Sequence, residues 1–301
     1  QAERGDGPPE WVNQAREEDP WVYGMGIAPV SRSSEESLYR ALGEARHQLL
    51  DHLHEAGALA ASPGRLGPAL ELDDDAVEFE SLYFDERAET WYALARLDRE
   101  AEAAKALAGV AALDAQAMDD MRALEAGDDS VTRALRLLFA LDRRAQLAAQ
   151  ATALGGEVPE PSTDRGLVTG SALARDALSQ HPFRIDVTAP PVPELYQDVR
   201  AALGEFAIGT ADFAPTEAHW VAVRLDEHGD WSRNERYLRG EGTVELALGD
   251  GTVRNEPIRA VGTGHSVDEA RDRAARVARQ NVVEAVRTAL IEAGRSEPAL
   301  R

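Results

Sequence analysis

The chain has 301 residues, 44% of them hydrophobic, with 54 acidic against 32 basic residues and a net charge of -22. That length allows two ordinary domains with real cores, and the charge repels phosphate backbones, which excludes nucleic acid as a partner. No Cys is present, which excludes disulfides and thiolate metal sites, and no apolar run reaches the roughly 18 residues of a membrane-spanning helix. Lys105 is the only lysine. An acidic, Lys-poor surface fits a high-salt habitat, and a coding bias toward Arg accounts equally well for the missing lysines.

The opening Gln1-Ala2-Glu3-Arg4-Gly5-Asp6-Gly7-Pro8-Pro9 is small and polar and reads as a tether after a removed signal or anchor. Trp21-Val22-Tyr23-Gly24-Met25-Gly26-Ile27-Ala28 reads as a strand ending in a Gly-x-Gly turn. Ser33 or Ser34 is placed to cap the next helix. Leu38, Ala41, Leu42, Ala45, Leu49 and Leu53 give that helix one buried stripe. Gly57 ends it, and Ser62-Pro63-Gly64 prevents its resumption. Val77 to Phe84 and Thr90 to Leu97 are rich in strand formers. The polar loop Asp85 to Glu89 between them predicts a hairpin.

Residues 99–154 contain no Pro and repeat apolar residues every three to four positions on either side of Gly127-Asp128-Asp129-Ser130. This predicts an antiparallel helical hairpin with arms of about 25 residues, roughly 38 Å each. Such arms exceed what a small sheet needs for cover, and would project or pack on a neighbour. Gly155 through Gly170 reads as a linker.

Beyond it, Phe183 to Val187, Phe206 to Gly209, His219 to Leu225, Thr243 to Leu248 and Val253 to Val261 read as strands. Helices are predicted from Pro193 to Leu203 and along the stripe Ala270, Ala274, Val277, Ala278, Val282, Val286 and Leu290. Gly249-Asp250-Gly251 marks a hairpin, and Gly262-Thr263-Gly264 repeats the Gly-x-Gly turn before a helix. The fold class expected is α+β: two small sheet-plus-helix modules joined by a long helical hairpin. Its divisions are a tether at 1–10, a first module at 11–98, the hairpin at 99–154, the linker at 155–170 and a second module at 171–301.

Chemistry-bearing patterns are sparse. Neither Gly-x-Gly completes a dinucleotide fingerprint and neither has a Walker lysine, so Gly24, Gly26, Gly262 and Gly264 are expected to be structural turns rather than phosphate cradles. His47, Asp51 and His54 share one helical face, opposite the apolar stripe, and read as solvated surface. His52 lies nearer the stripe and is expected to pack there. Asp73-Asp74-Asp75 lacks the alternating spacing, glycine and distal Glu of a calcium loop. No catalytic, cofactor or metal residue is assigned, and an enzyme is not expected. Trp11, Trp21, Tyr23, Trp91 and Tyr92 concentrate in the first module as core or as an interface platform. Trp231, set among polar neighbours that include Arg233 and Arg236, is the best candidate for an exposed interface anchor.

Pro9-Glu10-Trp11-Val12, the Trp21 to Ala28 strand, the Ala41 to Leu53 helix and Thr90-Trp91-Tyr92-Ala93-Leu94-Ala95-Arg96-Leu97 occur in an order that resembles the twenty-kilodalton Lpp-type outer-membrane lipoproteins. That family includes flagellar assembly protein T and the flagellar basal-disk protein P. The resemblance covers residues 8–105. It implies a periplasm-facing or cell-surface lipoprotein of the outer membrane, anchored through a lipid-bearing Cys that would precede Gln1, with no shared catalytic residues. The long hairpin departs from the shorter family version. The C-terminal half resembles, more distantly, TolB-like and curli-secretion-type periplasmic proteins. Together these imply a non-enzymatic envelope component that self-assembles into a homo-oligomer, possible contacts being sheet edges and the hairpin, with other envelope proteins as partners. The alternative is a monomeric binding module that recruits or activates an envelope enzyme such as a cell-wall synthase.

Overall fold

A computed structural model describes residues 8–13, 19–31, 33–55, 76–128, 130–159, 166–188, 194–211, 219–231 and 236–295. The chain is α+β and divides into two units. The first comprises Gln1–Leu113 and Arg143–Glu160, the second Asp114–Asp142 and Pro161–Arg301.

In the first unit, α1 (Glu10–Asn13) precedes β1 (Trp21–Pro29), α2 (Ser34–Glu55), β2 (Glu78–Asp85) and β3 (Thr90–Asp98). The sheet is antiparallel with order β1-β3-β2. Helix α2 starts where expected: Ser33 Oγ accepts the Glu36 N–H at 3.0 Å, and Glu35 and Glu36 place negative charge in the first turn. Its stripe Ala41, Ala45 and Leu49 is fully buried against Ala93, Ala95 and Leu97 of β3. The β2–β3 turn is fixed by Asp85, whose Oδ1 accepts the N–H groups of Arg87 and Ala88, both at 2.9 Å.

Helices α3 (Arg99–Glu125) and α4 (Val131–Ala153) follow, and the boundary between the units falls inside both. Each ends in a left-handed glycine, Gly127 and Gly155, whose closing hydrogen bonds satisfy the last carbonyls. Of the two alternatives expected for the arms, projecting or packing on a neighbour, their distal halves do not project but are built into the second unit. There Leu135 and Leu137 of α4 are fully buried, and the Phe139 ring meets Phe206 at 5.8 Å. Asp120 of α3, 1% exposed, accepts from Arg136 and Arg133 of α4.

The second unit continues with α5 (Gly166–Ser179), β4 (Arg184–Thr188), α6 (Leu195–Glu205), β5 (Trp220–Trp231), β6 (Arg236–Ala247), β7 (Val253–Gly264) and α7 (Val267–Arg295). The sheet order is β4-β5-β6-β7, with β4 parallel to β5 and the rest antiparallel. Three expectations are corrected here. Helix α5 begins inside the predicted linker. Phe206 to Gly209 is no strand but the winding-down of α6, with Phe206 N–H on Leu203 O and Ala207 at a φ of 62°. Strands β5 and β6 are far longer than expected.

Candidate functional site

The four glycines singled out in the sequence are not turn residues. Gly24 and Gly26 lie inside β1 and Gly262 and Gly264 inside β7, and each pair faces the helix that follows. A Cβ on Gly26 would stand 1.9 Å from the Ala41 carbonyl oxygen, and one on Gly24 2.3 Å from that of Ala45. A Cβ on Gly262 would stand 2.0 Å from the Ala270 carbonyl oxygen, and one on Gly264 2.8 Å from the Ala270 nitrogen. Both pairs therefore form a side-chain-free floor on which alanines of α2 or α7 rest at backbone contact. The helix occupies the space an anion would need. The second helix begins like the first, Ser266 Oγ accepting the Glu269 N–H at 3.2 Å.

Of the expected interface residues, Arg233 lies outside the described residues. The backbones of Trp231 and Arg236 pair across the end of the β5–β6 hairpin, and their side chains lie outside the described residues. So do Asp73-Asp74-Asp75, Gly57 and the His54 side chain. His47 and Asp51 are exposed and 3.5 Å apart, and no three-residue metal cluster exists among the described residues. His52 does not pack into the stripe: it is exposed, and its Nδ1 lies 3.0 Å from the Tyr23 carbonyl. The acceptor is a carbonyl, so Nδ1 carries the proton. The first-module aromatics are held structurally. Trp91 Nε1 donates to Ser34 Oγ at 2.9 Å, its ring lies 4.9 Å from Phe84, and Trp21 sits 4.1 Å under the Arg96 guanidinium.

A cluster that sequence reasoning missed joins four distant positions of the second unit. His219 stacks on buried Phe183 at 5.1 Å and meets His181 edge-on at 5.3 Å. Its Nδ1 accepts the Gly249 N–H at 3.0 Å, which places the imidazole proton on Nε2. Burial, then the neighbouring His181, lowers its pKa, against a smaller opposing pull from Asp250. Asp250 accepts from Thr132 Oγ1 and from the Thr252 N–H. Burial pushes its carboxyl up, but those hydrogen bonds outweigh it and hold the pKa below the ordinary value. The arrangement clips the β6–β7 turn to the start of β5 and the start of α4. The available sequence signals were the two histidines and Gly249-Asp250-Gly251, separated by too much chain to be joined by spacing.

The hollows among the described residues of the second unit include a groove and a smaller cavity. An open groove of ≈ 500 Å³ between α6 and α7 is lined by Arg276, Arg279 and Arg287. Arg279 is paired with Glu194 and Asp198, and Arg287 with Glu205, so these two arginines pin α6 to α7. A hollow of ≈ 40 Å³ under α7, lined by Leu225, Leu238, Ala260 and Ala274, is far below the roughly 300–1,000 Å³ of a small-molecule site.

The broadest feature is the face of the second sheet opposite α6 and α7. Every β7 residue on it is exposed: Val253, Asn255, Pro257, Arg259, Val261 and Thr263. Neighbouring strands contribute Arg239, Glu241 and Glu245 of β6, Arg224 and Asp226 of β5, and Arg184 and Asp186 of β4. Four arginines thus stand among four carboxylates, a net charge of zero on a chain of -22.

No family model matches the chain, and no curated protein matches it. Among solved structures it is similar to the secreted protein HP1454 from Helicobacter pylori, at 12% identity over 91% of this chain and 99% of that one, with a TM-score of 0.37. A minor lipoprotein from Acinetobacter baumannii is similar at 11% identity over 37% of this chain and 91% of its own, with a TM-score of 0.26. Rare lipoprotein B from Shewanella oneidensis is similar at 12% identity over 36% and 92%, with a TM-score of 0.26. At these TM-scores none of them fixes the function or the assembly of this chain.

Proposed function

We propose that this chain is a non-enzymatic protein of the bacterial cell envelope that works by associating with copies of itself. The observation that carries the proposal is the neutral, charge-interleaved open face of the second sheet. Two chains of net charge -22 repel at a distance. A face with alternating arginines and carboxylates, carrying Val253 and Val261 at 43% and 41% exposure, is where two copies can meet with opposite charges opposed. In keeping with a non-enzymatic role, the most distinctive polar groups are engaged in holding the fold: His219 by Gly249, and Arg279 and Arg287 by carboxylates.

The envelope placement rests on the order of elements across residues 8–105. A lipid anchor ahead of Gln1, an outer-membrane location and a flagellum-associated ring or sheet are the specific forms that the resemblance implies. Cross-linking in the envelope fraction tests the reading. Links between copies, mapping to the strands of the second sheet, are expected. Links to a single other protein, such as a cell-wall synthase, with none between copies, would replace it with a recruiting module.

A further inference from the structure

We infer that two copies of this chain meet through the open face of the second sheet as a closed two-fold pair, the axis crossing the strands between Arg224 and Asp226. The inference rests on the self-association proposed above and adds which residues oppose which. The ladders arrange this face in rows that run across the strands. The first row holds Ala222, Glu245 and Asn255, the second Arg224, Thr243 and Pro257, the third Asp226, Glu241 and Arg259. Arg239 and Val261 stand in the fourth. Arg224, Asp226 and Glu245 form no ion pair with any described residue. Glu241 differs from them: Arg239 engages it, and so does Arg259 at 3.8 Å.

A two-fold axis midway between the second and third rows lays each strand antiparallel over the same strand of the second copy and exchanges those rows. Arg224 then faces Asp226 of the second copy, and by symmetry Asp226 faces its Arg224. The first and fourth rows exchange as well, which sets Glu245 against Arg239. Facing sheets stack about 10 Å apart, a gap that an arginine and a carboxylate side chain span together. Both pairings occur twice by symmetry, and no like charges are set directly opposite. Glu241 and Arg259, already paired within the chain, fall opposite the uncharged Thr243 and Pro257. Other axes do not fit this pattern. An axis through the third row sets Asp226, Glu241 and Arg259 each against itself, and one along the strands between β5 and β6 sets Asp226 against Glu241. A contact of this kind uses up the face, so association through it stops at two copies. A larger assembly needs a second contact elsewhere.

Reciprocal charge exchange tests the register, read by sedimentation equilibrium of the full chain at moderate salt. Arg224→Glu alone opposes two carboxylates at both symmetric contacts, and Asp226→Arg alone opposes two arginines there. Each variant, folded as judged by circular dichroism, is expected to associate about tenfold or more weakly than the wild type. Asp226→Arg makes the chain less acidic, so its loss of association cannot come from net charge. An equimolar mixture of the two variants restores opposite charges at both contacts. It is expected to form a mixed dimer with close to wild-type affinity, which also shows that both variants keep the face intact. A mixture that pairs no better than either variant alone, while the wild type associates, overturns the two-fold register and leaves association through the face standing. A single variant that associates as the wild type does overturns the register in the same way. A wild type that stays monomeric overturns both the register and the self-association on which it rests.

Discussion

Gly26 of β1 and Ala41 of α2 lie so close that a Cβ on the glycine would stand 1.9 Å from the alanine's carbonyl oxygen. Because the obstruction is backbone, no rotamer change relieves it, and Gly26→Ala must push the helix off the sheet. We expect a loss of about 3 kcal/mol or more in denaturant unfolding. Gly43→Ala serves as the control in the same helix. A Cβ there meets nothing within 4 Å, and the variant should gain roughly 0.5–1 kcal/mol from helix propensity and a less flexible unfolded chain.

The His219 clip gives stability a pH dependence of known sign. Its pKa is lowered in the folded chain, first by burial and then by His181, so the folded state resists a proton that the unfolded state accepts. The contribution is whole above the ordinary His pKa of about 6.5 and is lost as pH falls below it toward the folded value. Protonation at Nδ1 also removes the acceptor for the Gly249 N–H. Unfolding free energy measured between about pH 5 and 8 should therefore fall on the acid side less steeply in His219→Asn than in the wild type. Parallel curves would show that the clip does not titrate as described.

Asp120 is 1% exposed and faces Arg136 and Arg133 across the helical hairpin. Asp120→Ala leaves the Arg136 charge half-buried without its carboxylate and should cost about 3–5 kcal/mol. The double variant Asp120→Leu/Arg136→Met removes both charges together and should recover most of that loss. Thermal unfolding of the three proteins checks the order. A single variant as stable as the wild type would mean that the pair is not buried as described.

Much of the fold was legible because local signals and burial agreed. The Ala41, Ala45, Leu49 and Leu53 stripe, the Asp85 to Glu89 turn and the Ser33 cap each follow from residue type and spacing. The long strands β5 and β6 were not legible. Gly229, Gly240 and Gly242 with Asp226, Glu227 and Asp230 argue against a strand, and the ladder between the two strands overrides them. The glycine pairs stand out in the sequence without disclosing their role: a glycine placed for a tight turn and one placed for a helix to rest on look alike there. The His219 cluster depends on residues 30 to 118 positions apart, mostly ordinary polar residues without a recognisable motif.

The central claim, that copies meet through the open face of the second sheet, is tested most directly by sedimentation equilibrium of the wild type and of Arg224→Glu/Arg259→Glu at two ionic strengths. Screening beyond about 10 Å suppresses the long-range repulsion of the net charge more than contacts between opposed pairs. Wild-type association should therefore strengthen from low to moderate salt, and the charge-reversed variant, folded as judged by circular dichroism, should remain monomeric in both. A wild type that stays monomeric across concentration and salt, or a variant that associates as the wild type does, would contradict the account.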